Sequence, residues 1–137
     1  MKVGIAGYGV VGKTRHASIL RNTPLKVNAI SEASPQAQKD IPNDCDIYNT
    51  YQELIEKAEI EIVFISLPNK FAAEAVKLSL EKGLHVFCEK PPARTLDELT
   101  EVYKLFQNYP DQKLMYGFNH RFHLSVEEAK KIIDNNT

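Results

Sequence analysis

The sequence predicts an α/β domain with a doubly wound, mainly parallel sheet. Three observations support this fold class. Apolar, strand-like segments alternate with helical segments along the whole chain, without internal repeats. A glycine-rich turn, GYGVVG at residues 7–12, directly follows the first strand-like segment. Later strand-like segments also end in unusual polar residues, and the carboxyl ends of parallel strands are where such sheets bind ligands.

In the first half of the chain, two strand–helix units are predicted. Val3, Ile5 and Ala6 supply the first strand, and a helix follows from Val11 to Arg21. The residues of this helix expected to pack on the sheet are Val11, Ala17, Ile19 and Leu20. The second strand spans residues 25–30, LKVNAI. Residues 33–49 lack periodicity and contain two prolines, so a loop or a short irregular helix is expected there.

The second half continues the alternation. Residues 60–67 are the most continuously apolar segment, as expected for a central strand covered on both faces. Asn69 is the expected N-cap of the next helix, and Gly83 its left-handed end. The other predicted elements are a helix at 51–58 after a Thr50–Glu53 capping box, a strand at 85–88, a helix after a Thr95–Glu98 box, a strand at 113–116, a loop at 117–122 and a helix after a Ser125–Glu128 box.

Composition excludes several classes of function. The chain has 137 residues, of which 43% are hydrophobic and 26% charged, as in ordinary globular domains. Seventeen Lys and Arg against 18 Asp and Glu leave a net charge of -1, too little to hold nucleic acid or an anionic membrane. No apolar run approaches the roughly 20 residues of a membrane span, and no signal peptide is visible. We therefore expect a cytoplasmic protein with no nucleic-acid or membrane partner.

No metal site is predicted. Cys45 and Cys88 lack the spacing of metal ligands, and we assign them neither a metal nor a disulfide. His120 and His123 lack a third ligand. His16 and His85 are expected to be packed or solvated.

The glycine-rich turn has the spacing G-x-G-x-x-G, formed by Gly7, Gly9 and Gly12. The first glycine permits a tight turn, the second lets the backbone approach a pyrophosphate, and the third allows a helix to pack closely on the strand. The spacing also occurs in turns that bind no ligand, so the motif depends on its structural context. The candidate cofactor-binding residues of this turn are Gly7, Tyr8, Gly9, Val10, Val11 and Gly12.

Glu32 follows the second predicted strand, 20 residues after Gly12. Dinucleotide-binding folds place an acidic residue at this offset, against the adenosine ribose hydroxyls. A solvated carboxylate in a loop is the alternative interpretation. The carboxylate would repel a 2′-phosphate, so we expect NAD rather than NADP, although Arg15 or Lys39 could soften this preference.

Four segments, GYGVVG, SLPN, GLHVFCEKPPA and YGFNHRF, together resemble the motifs of the glucose-fructose oxidoreductase, inositol dehydrogenase and rhizopine-catabolism (Gfo/Idh/MocA) family of NAD(P)-dependent oxidoreductases. The resemblance covers most of the chain. It implies a Rossmann dinucleotide-binding fold over residues 1–122. Residues 123–137 would be a helix leading toward a C-terminal α+β substrate domain that is absent from this chain. The resemblance further implies a sugar-like substrate and a homo-oligomeric parent protein.

Lys90 is the candidate catalytic residue. It stands at the carboxyl end of a predicted strand, and the two prolines that follow restrict its backbone. A cation held in this way can polarise a substrate oxygen or take part in proton transfer. By resemblance, Lys90 corresponds to the family lysine that contacts the substrate hydroxyl near the nicotinamide, and the Lys90–Pro91 peptide is expected to be cis. A solvated lysine beside Glu89 is the alternative.

The resemblance adds further cofactor-binding residues, which are Leu67, Pro68, Asn69, Glu89, Lys90, Asn119 and Arg121. Asn119 and Arg121 would approach the nicotinamide or the substrate, although pairing of Arg121 with a carboxylate to fix its loop is also open. This chain departs from the family at Leu67, where a threonine is usual, and at Ala72, where many members carry a histidine.

Two functions follow. The first is an oxidoreductase that transfers hydride between a sugar-like or polyol hydroxyl carbon and the nicotinamide, with Lys90 polarising the substrate oxygen. The second is a dinucleotide-binding module without catalysis, acting as a redox sensor or an accessory subunit. Since no residue replaces the missing acid/base partner, we expect the isolated chain to be inactive or weakly active.

Overall fold

The computed structural model describes residues 1–135 of the chain. Strands and helices alternate as predicted. The strands are β1 (Lys2–Ala6), β2 (Lys26–Ser31), β3 (Asp46–Tyr48), β4 (Ile62–Ile65), β5 (His85–Cys88) and β6 (Leu114–Tyr116). The helices are α1 (Val10–Asn22), α2 (Pro35–Gln38), α3 (Tyr51–Lys57), α4 (Asn69–Glu81), α5 (Leu96–Phe106) and α6 (Leu124–Asn135), with a 3₁₀ turn at Asn119–Phe122 before α6.

The described strands form one sheet in the order β3-β2-β1-β4-β5-β6. Each of its five neighbouring pairs is parallel. The chain moves outward from β1 to β3, then crosses to β4 and moves outward to β6. The direction of winding therefore changes between β1 and β4, where the strand ends open a crevice. The predicted fold class, a doubly wound and mainly parallel sheet, is confirmed.

Strand β4 is the central strand that its apolar sequence predicts. Val63 and Ile65 are buried in the larger core cluster, which α3, α4 and α5 help to cover. Ile62 and Phe64 alternate with them and pack against the second cluster on the other face of the sheet. Successive side chains of a strand point to opposite faces, so a strand covered on both faces is apolar throughout.

Helix α1 buries a different face from the predicted one. Ile19 is buried as expected, together with Gly12 and His16. The residues of the predicted face that are exposed instead are Val11, Ala17 and Leu20. A Cβ atom at Gly12 would overlap the carbonyl oxygen of Gly7, so close approach to the turn decides which side of the helix faces inward. His16 follows Gly12 by one helical turn and shares its face.

The capping predictions have mixed outcomes. Thr50 accepts a hydrogen bond from the Glu53 N–H at 3.1 Å, and Thr95 accepts one from the Glu98 N–H at 3.2 Å. Both caps are confirmed, as is the left-handed backbone of Gly83, with φ 81°.

Two other caps were predicted too late in the chain, by one residue for α4 and by two for α6. Pro68, rather than Asn69, is the N-cap of α4, and its carbonyl accepts a hydrogen bond from the Phe71 N–H. Helix α6 begins at Leu124 because the His123 carbonyl accepts a hydrogen bond from the Glu127 N–H. Ser125 therefore lies within the first turn of α6.

Residues 33–49 contain more order than the sequence indicates. The short helix α2 begins after Ser34, whose hydroxyl accepts a hydrogen bond from the Ala37 N–H. Strand β3 was not predicted. It has three residues and pairs with the end of β2, where Ser31 lies beside Tyr48. So short a segment carries no measurable alternation, and its neighbour in the sheet defines it.

Every described residue of α6 is exposed. The helix predicted within 123–137 is present up to Asn135, and residues 136 and 137 lie outside the described residues. No helix within residues 1–135 is both long and apolar enough to cross a membrane.

Candidate functional site

A crevice of about 690 Å³ opens at the carboxyl ends of β1, β2 and β4. Four segments line it. They are the glycine turn (Gly7, Gly9, Val10 and Val11), the end of β2 (Ser31, Glu32 and Ala33), residues 49–52 at the start of α3, and the end of β4 with the start of α4 (Ser66, Leu67, Pro68 and Phe71). Several predicted site residues from distant parts of the sequence therefore share one cavity.

Each of the three positions in the turn is glycine for a different structural reason. Gly7 has a positive φ of 89°, and a Cβ there would lie 2.7 Å from the Ser66 carbonyl oxygen. Gly12 lies against Gly7, as described above. Gly9 has an ordinary extended backbone, and a Cβ there would meet no heavy atom of residues 1–135 within 4 Å. The fold requires Gly7 and Gly12, whereas the missing side chain of Gly9 leaves open space.

That open space lies at the N-terminus of α1. Gly9 is the N-cap and offers no capping side chain, and the first turn consists of apolar residues, glycine and Lys13. The Lys13 N–H bonds the Gly9 carbonyl at 3.0 Å, which closes the first helical turn. The N–H groups before Lys13 have no carbonyl partner within the helix, and the helix dipole adds partial positive charge at this end. The turn is thus suited to a phosphate group.

Glu32 is held in place on the other side of the glycine turn. Its carboxylate accepts hydrogen bonds from the N–H groups of Tyr8 and Ser34, both at 2.9 Å. Its own backbone N–H bonds the Tyr48 carbonyl at 3.0 Å. Each carboxylate oxygen can accept more than one hydrogen bond, so Glu32 retains capacity for hydroxyl donors. The solvated loop carboxylate considered above does not describe this half-buried, hydrogen-bonded group.

Tyr8 contributes to the site through its backbone. Its side chain is buried, 4% exposed, and its hydroxyl lies 2.8 Å from Nδ1 of His16. The two rings meet edge to face. Burial lowers the pKa of His16, which favours the neutral imidazole. The buried Tyr8 and His16 side chains pack against each other beneath the glycine turn. The part of Tyr8 that contacts Glu32 is its backbone N–H.

A second group of predicted residues gathers beyond the end of β5. Glu89 forms an ion pair with Arg15 of α1, whose Nη2 also donates a hydrogen bond to Asn119 Oδ1 at 3.1 Å. The guanidinium lies over the Phe87 ring, 4.9 Å from its centroid. Sequence reasoning considered Arg15 only as a possible contact of a 2′-phosphate. The sequence signal of this network is the three-residue spacing between Gly12 and Arg15, which places both on one helical face.

Lys90 is exposed, and its peptide bond to Pro91 is cis, as predicted. Glu89 pairs with Arg15, and an exposed Lys90 is also what the alternative considered above, a solvated lysine beside Glu89, would show. In the described part of the chain, the Lys90 ammonium has no hydrogen-bond or ion-pair partner. It lies at the end of β5, outside the lining of the crevice.

The remaining predicted residues are spread along the same sheet edge. Leu67 and Pro68 line the crevice, whereas Asn69 is exposed as the first residue of α4. Arg121 is exposed and lies over the Phe122 ring at 5.5 Å. Among residues 1–135, no carboxylate pairs with Arg121, so the loop-fixing ion pair considered above is not formed there.

Metal-ligating side chains do not cluster in this structure. Within residues 1–135, no group of three or more such side chains could hold an ion. Cys45 and Cys88 are free, buried thiols. Burial raises the pKa of Cys88 to about 12, which keeps this thiol protonated.

The arrangement fits a dinucleotide along the sheet edge. Open space at Gly9 and the start of α1 suits a pyrophosphate, and the Glu32 carboxylate suits ribose hydroxyls. Glu32 follows β2 and Glu89 follows β5, on either side of the crevice between β1 and β4. The two ends of an extended ligand would therefore meet different sets of predicted residues.

Comparison with known proteins found a matching family model and several related proteins. The model of the GFO_IDH_MocA family, described as an oxidoreductase family with an NAD-binding Rossmann fold, matches residues 1–118. An uncharacterized oxidoreductase of Bacillus subtilis, YrbE, is 33% identical over 135 residues, covering 96% of this chain and 39% of that protein.

Two further relatives carry named activities. D-xylose 1-dehydrogenase (NADP(+)) 2 of Haloferax volcanii is 29% identical, covering 96% of this chain and 40% of that protein. The crystal structure of scyllo-inositol dehydrogenase from Lactobacillus casei with NAD(H) and scyllo-inositol matches with a TM-score of 0.88 and 26% identity, covering 98% of this chain and 41% of that chain. The chain therefore spans about 40% of the length of the relatives it matches.

Proposed function

Because this chain belongs to the Gfo/Idh/MocA oxidoreductase family, we propose that residues 1–122 form the NAD-binding domain of a dehydrogenase that acts on a sugar-like or polyol hydroxyl group. Residues 123–137 would lead toward a domain that binds the substrate. The observation that carries NAD binding is the open space at Gly9, in front of α1 and beside the Glu32 carboxylate.

The binding residues have distinct tasks in this proposal. N–H groups at the start of α1 bind the pyrophosphate, and Glu32 accepts hydrogen bonds from the adenosine ribose hydroxyls. Leu67 and Pro68 supply apolar contact along the wall of the crevice. Glu89, Asn119 and Arg121 lie toward the nicotinamide end. The support for this assignment is that these residues lie along one edge of the sheet.

Lys90 would contact the substrate oxygen. The bound nicotinamide supplies the chemistry of hydride transfer to or from the substrate carbon. An ammonium beside the substrate oxygen stabilises negative charge that develops there. Within residues 1–135 no partner occupies the Lys90 ammonium, and Glu89 is already neutralised by Arg15, so the ammonium is available for this part. A base within hydrogen-bond reach of the substrate hydroxyl is also needed, and we propose that the substrate domain supplies it.

The relatives support a polyol or sugar as the substrate class. One is named as a D-xylose dehydrogenase, and another was crystallised with scyllo-inositol. Both substrates carry secondary or hemiacetal hydroxyl carbons that can give up a hydride. A panel of cyclic polyols and aldoses, offered to the whole protein with NAD, tests this class. Absence of turnover with every member of the panel, despite NAD binding, would instead support the non-catalytic module.

Substitution of Gly9 tests the proposed cofactor site. Within residues 1–135, the Cβ of a valine at this position would meet no heavy atom within 4 Å beyond its chain neighbours, and the side chain would fill the space in front of α1. We expect Gly9→Val to weaken NAD binding at least tenfold, about 1.4 kcal/mol, with little change in the melting temperature. Isothermal titration calorimetry and thermal unfolding measure the two quantities.

Gly9→Ala is the graded control, since it adds one methyl group to the same space. It should weaken binding less than valine does. Unchanged NAD affinity in Gly9→Val would place the pyrophosphate elsewhere and contradict the proposal.

A further inference from the structure

Arg15 joins three segments that are far apart in the sequence. It belongs to α1, and it pairs with Glu89 after β5 and with Asn119 in the 3₁₀ turn after β6. The side chains of Arg15 and Glu89 are only 21% and 12% exposed. An ion pair this well shielded is far less screened by water and salt than a surface pair.

The Arg15 guanidinium makes contacts through two of its nitrogens and through its planar face at the same time. Its Nε faces Glu89, its Nη2 donates to Asn119, and its plane lies over the Phe87 ring. Phe87 in turn stacks on Phe64 of the central strand, with ring centroids 5.1 Å apart. A lysine could keep the charge but could not make these directed contacts together. The site is therefore specific for arginine.

Glu89 is fixed from its backbone as well. Its N–H bonds the Ile65 carbonyl at 2.9 Å, which extends the β4–β5 pairing to the residue before Lys90. Gly117 packs on its carboxylate, since a Cβ there would lie 2.8 Å from Oε2. Main chain and side chain both restrain Glu89, so the position of Lys90, the next residue, is restrained too.

We propose that Arg15 is a positioning residue for the nicotinamide end of the site, acting through Glu89 and Asn119. Arg15 lies on the helix whose N-terminus faces the pyrophosphate, so it ties that end of the cofactor site to the strand end that carries Lys90. The proposal rests on the proposed NAD binding. It also means that Arg15 is engaged away from Glu32 and does not serve a 2′-phosphate.

Comparison of NAD with ADP-ribose tests this role. ADP-ribose has the adenosine and pyrophosphate but lacks the nicotinamide, so only NAD reports on the Arg15 network. For the 137-residue chain, we expect Arg15→Met to weaken NAD binding about three- to tenfold, because one or two released side chains must be ordered again when NAD binds. The affinity for ADP-ribose should change less than about twofold. Calorimetry gives both affinities, and NADH fluorescence gives a second signal from the nicotinamide.

Arg21→Met is the matched control. Arg21 lies on the same helix, and among the described residues its Nε bonds only the Ala17 carbonyl one turn away. This variant should bind NAD and ADP-ribose as the unmodified chain does. Arg15→Lys should lie between the unmodified chain and Arg15→Met for NAD.

The double variant Arg15→Met/Glu89→Gln guards against a folding defect. It removes the mostly shielded carboxylate of Glu89, which Arg15→Met alone would leave unpaired. Because the two residues act as one unit, its NAD affinity should be no lower than that of Arg15→Met.

Three outcomes separate the hypotheses. Equal weakening of NAD and ADP-ribose in the Arg15 variants would show a general structural role and overturn the inference. Unchanged NAD affinity in those variants would overturn it as well. If the unmodified chain bound neither NAD nor ADP-ribose, the proposed function itself would fail, and the inference with it.

Discussion

Glu32 and Arg15 are the two side chains that define the candidate site at the scale of single residues. Glu32 receives hydrogen bonds from the turns after β1 and β2. Arg15 connects α1 to the ends of β5 and β6. Each is a charged group whose partners come from different segments, so each has a fixed position before any ligand binds. Such preorganisation lowers the entropic cost of binding.

The charge of Glu32 should set the choice of cofactor. We expect the chain to bind NAD more tightly than NADP, because a 2′-phosphate would approach this carboxylate. Two cations of α1 are already engaged, since Arg15 pairs with Glu89 and Lys13 with Asp40 at 2.5 Å. Glu32→Gln should lower the NAD to NADP affinity ratio about tenfold or more, equal to at least about 1.4 kcal/mol. Calorimetric titration with both cofactors measures the ratio.

Glu56→Gln is the control for this change, because Glu56 is an exposed acid of α3 outside the crevice lining. It should leave the ratio as it is. Tighter binding of NADP by the unmodified chain, with the order unaffected by Glu32→Gln, would contradict a selective role for Glu32.

At the scale of elements, local signals define the helices that frame the site. The cap of α5 is an example, because Thr95 accepts the Glu98 N–H while the Glu98 side chain accepts the Arg94 N–H at 2.9 Å. This is a variant of the capping box, since Glu98 reaches the residue before the N-cap. Helix α1 lacks such a cap, and its N-terminus faces the proposed pyrophosphate site instead. The N-terminus of α5 is closed by side-chain caps, whereas the N-terminus of α1 leaves its N–H groups available to the proposed ligand.

Thr95→Ala should destabilise the domain by about 1 kcal/mol, because the N–H of Glu98 loses its acceptor. Chemical denaturation measures the free energy of unfolding, with the same m-value, the slope against denaturant concentration, used for both proteins. Thr100→Ala is the control in the same helix. Thr100 is exposed, and in the described part of the chain its hydroxyl donates only to the Leu96 carbonyl, so alanine should be neutral or slightly stabilising there. Equal losses in both variants would show that the cap contributes nothing specific.

At the scale of the whole molecule, two core clusters cover the two faces of one sheet. The cluster under the glycine turn contains Tyr8 beside His16, whose side chain is 5% exposed. A titratable group in this position links protonation to global stability. The pH dependence of unfolding therefore reports on the buried Tyr8–His16 pair that packs under the glycine turn.

Stability should fall as the pH falls below the ordinary histidine pKa of 6.5, because burial lowers the pKa of His16 in the folded state. In the window between the two pKa values the unfolded chain binds more protons, so acid favours unfolding, and above 6.5 the effect vanishes. This loss of stability is measured by comparing the free energy of unfolding at pH values of about 8 and 5.

His16→Asn keeps a short polar group near Tyr8 and should show a flatter profile between those pH values, whatever its absolute stability. His120→Gln, at an exposed histidine, should leave the slope of the unmodified chain unchanged. A slope that His16→Asn does not alter would assign the pH dependence to other groups.

The sequence by itself determined the alternation of strands and helices, the parallel sheet, the glycine turn and the position of Glu32 at a strand end. These features depend on periodicity, turn chemistry and caps, which act over a few neighbouring residues. The roles of the predicted site residues stay predictions. The tertiary structure decided the strand β3, the inward face of α1 and the network of Arg15, Glu89 and Asn119. The partners of Arg15 lie 74 and 104 residues away in the chain, and only the packing of α1 across the sheet brings them into contact.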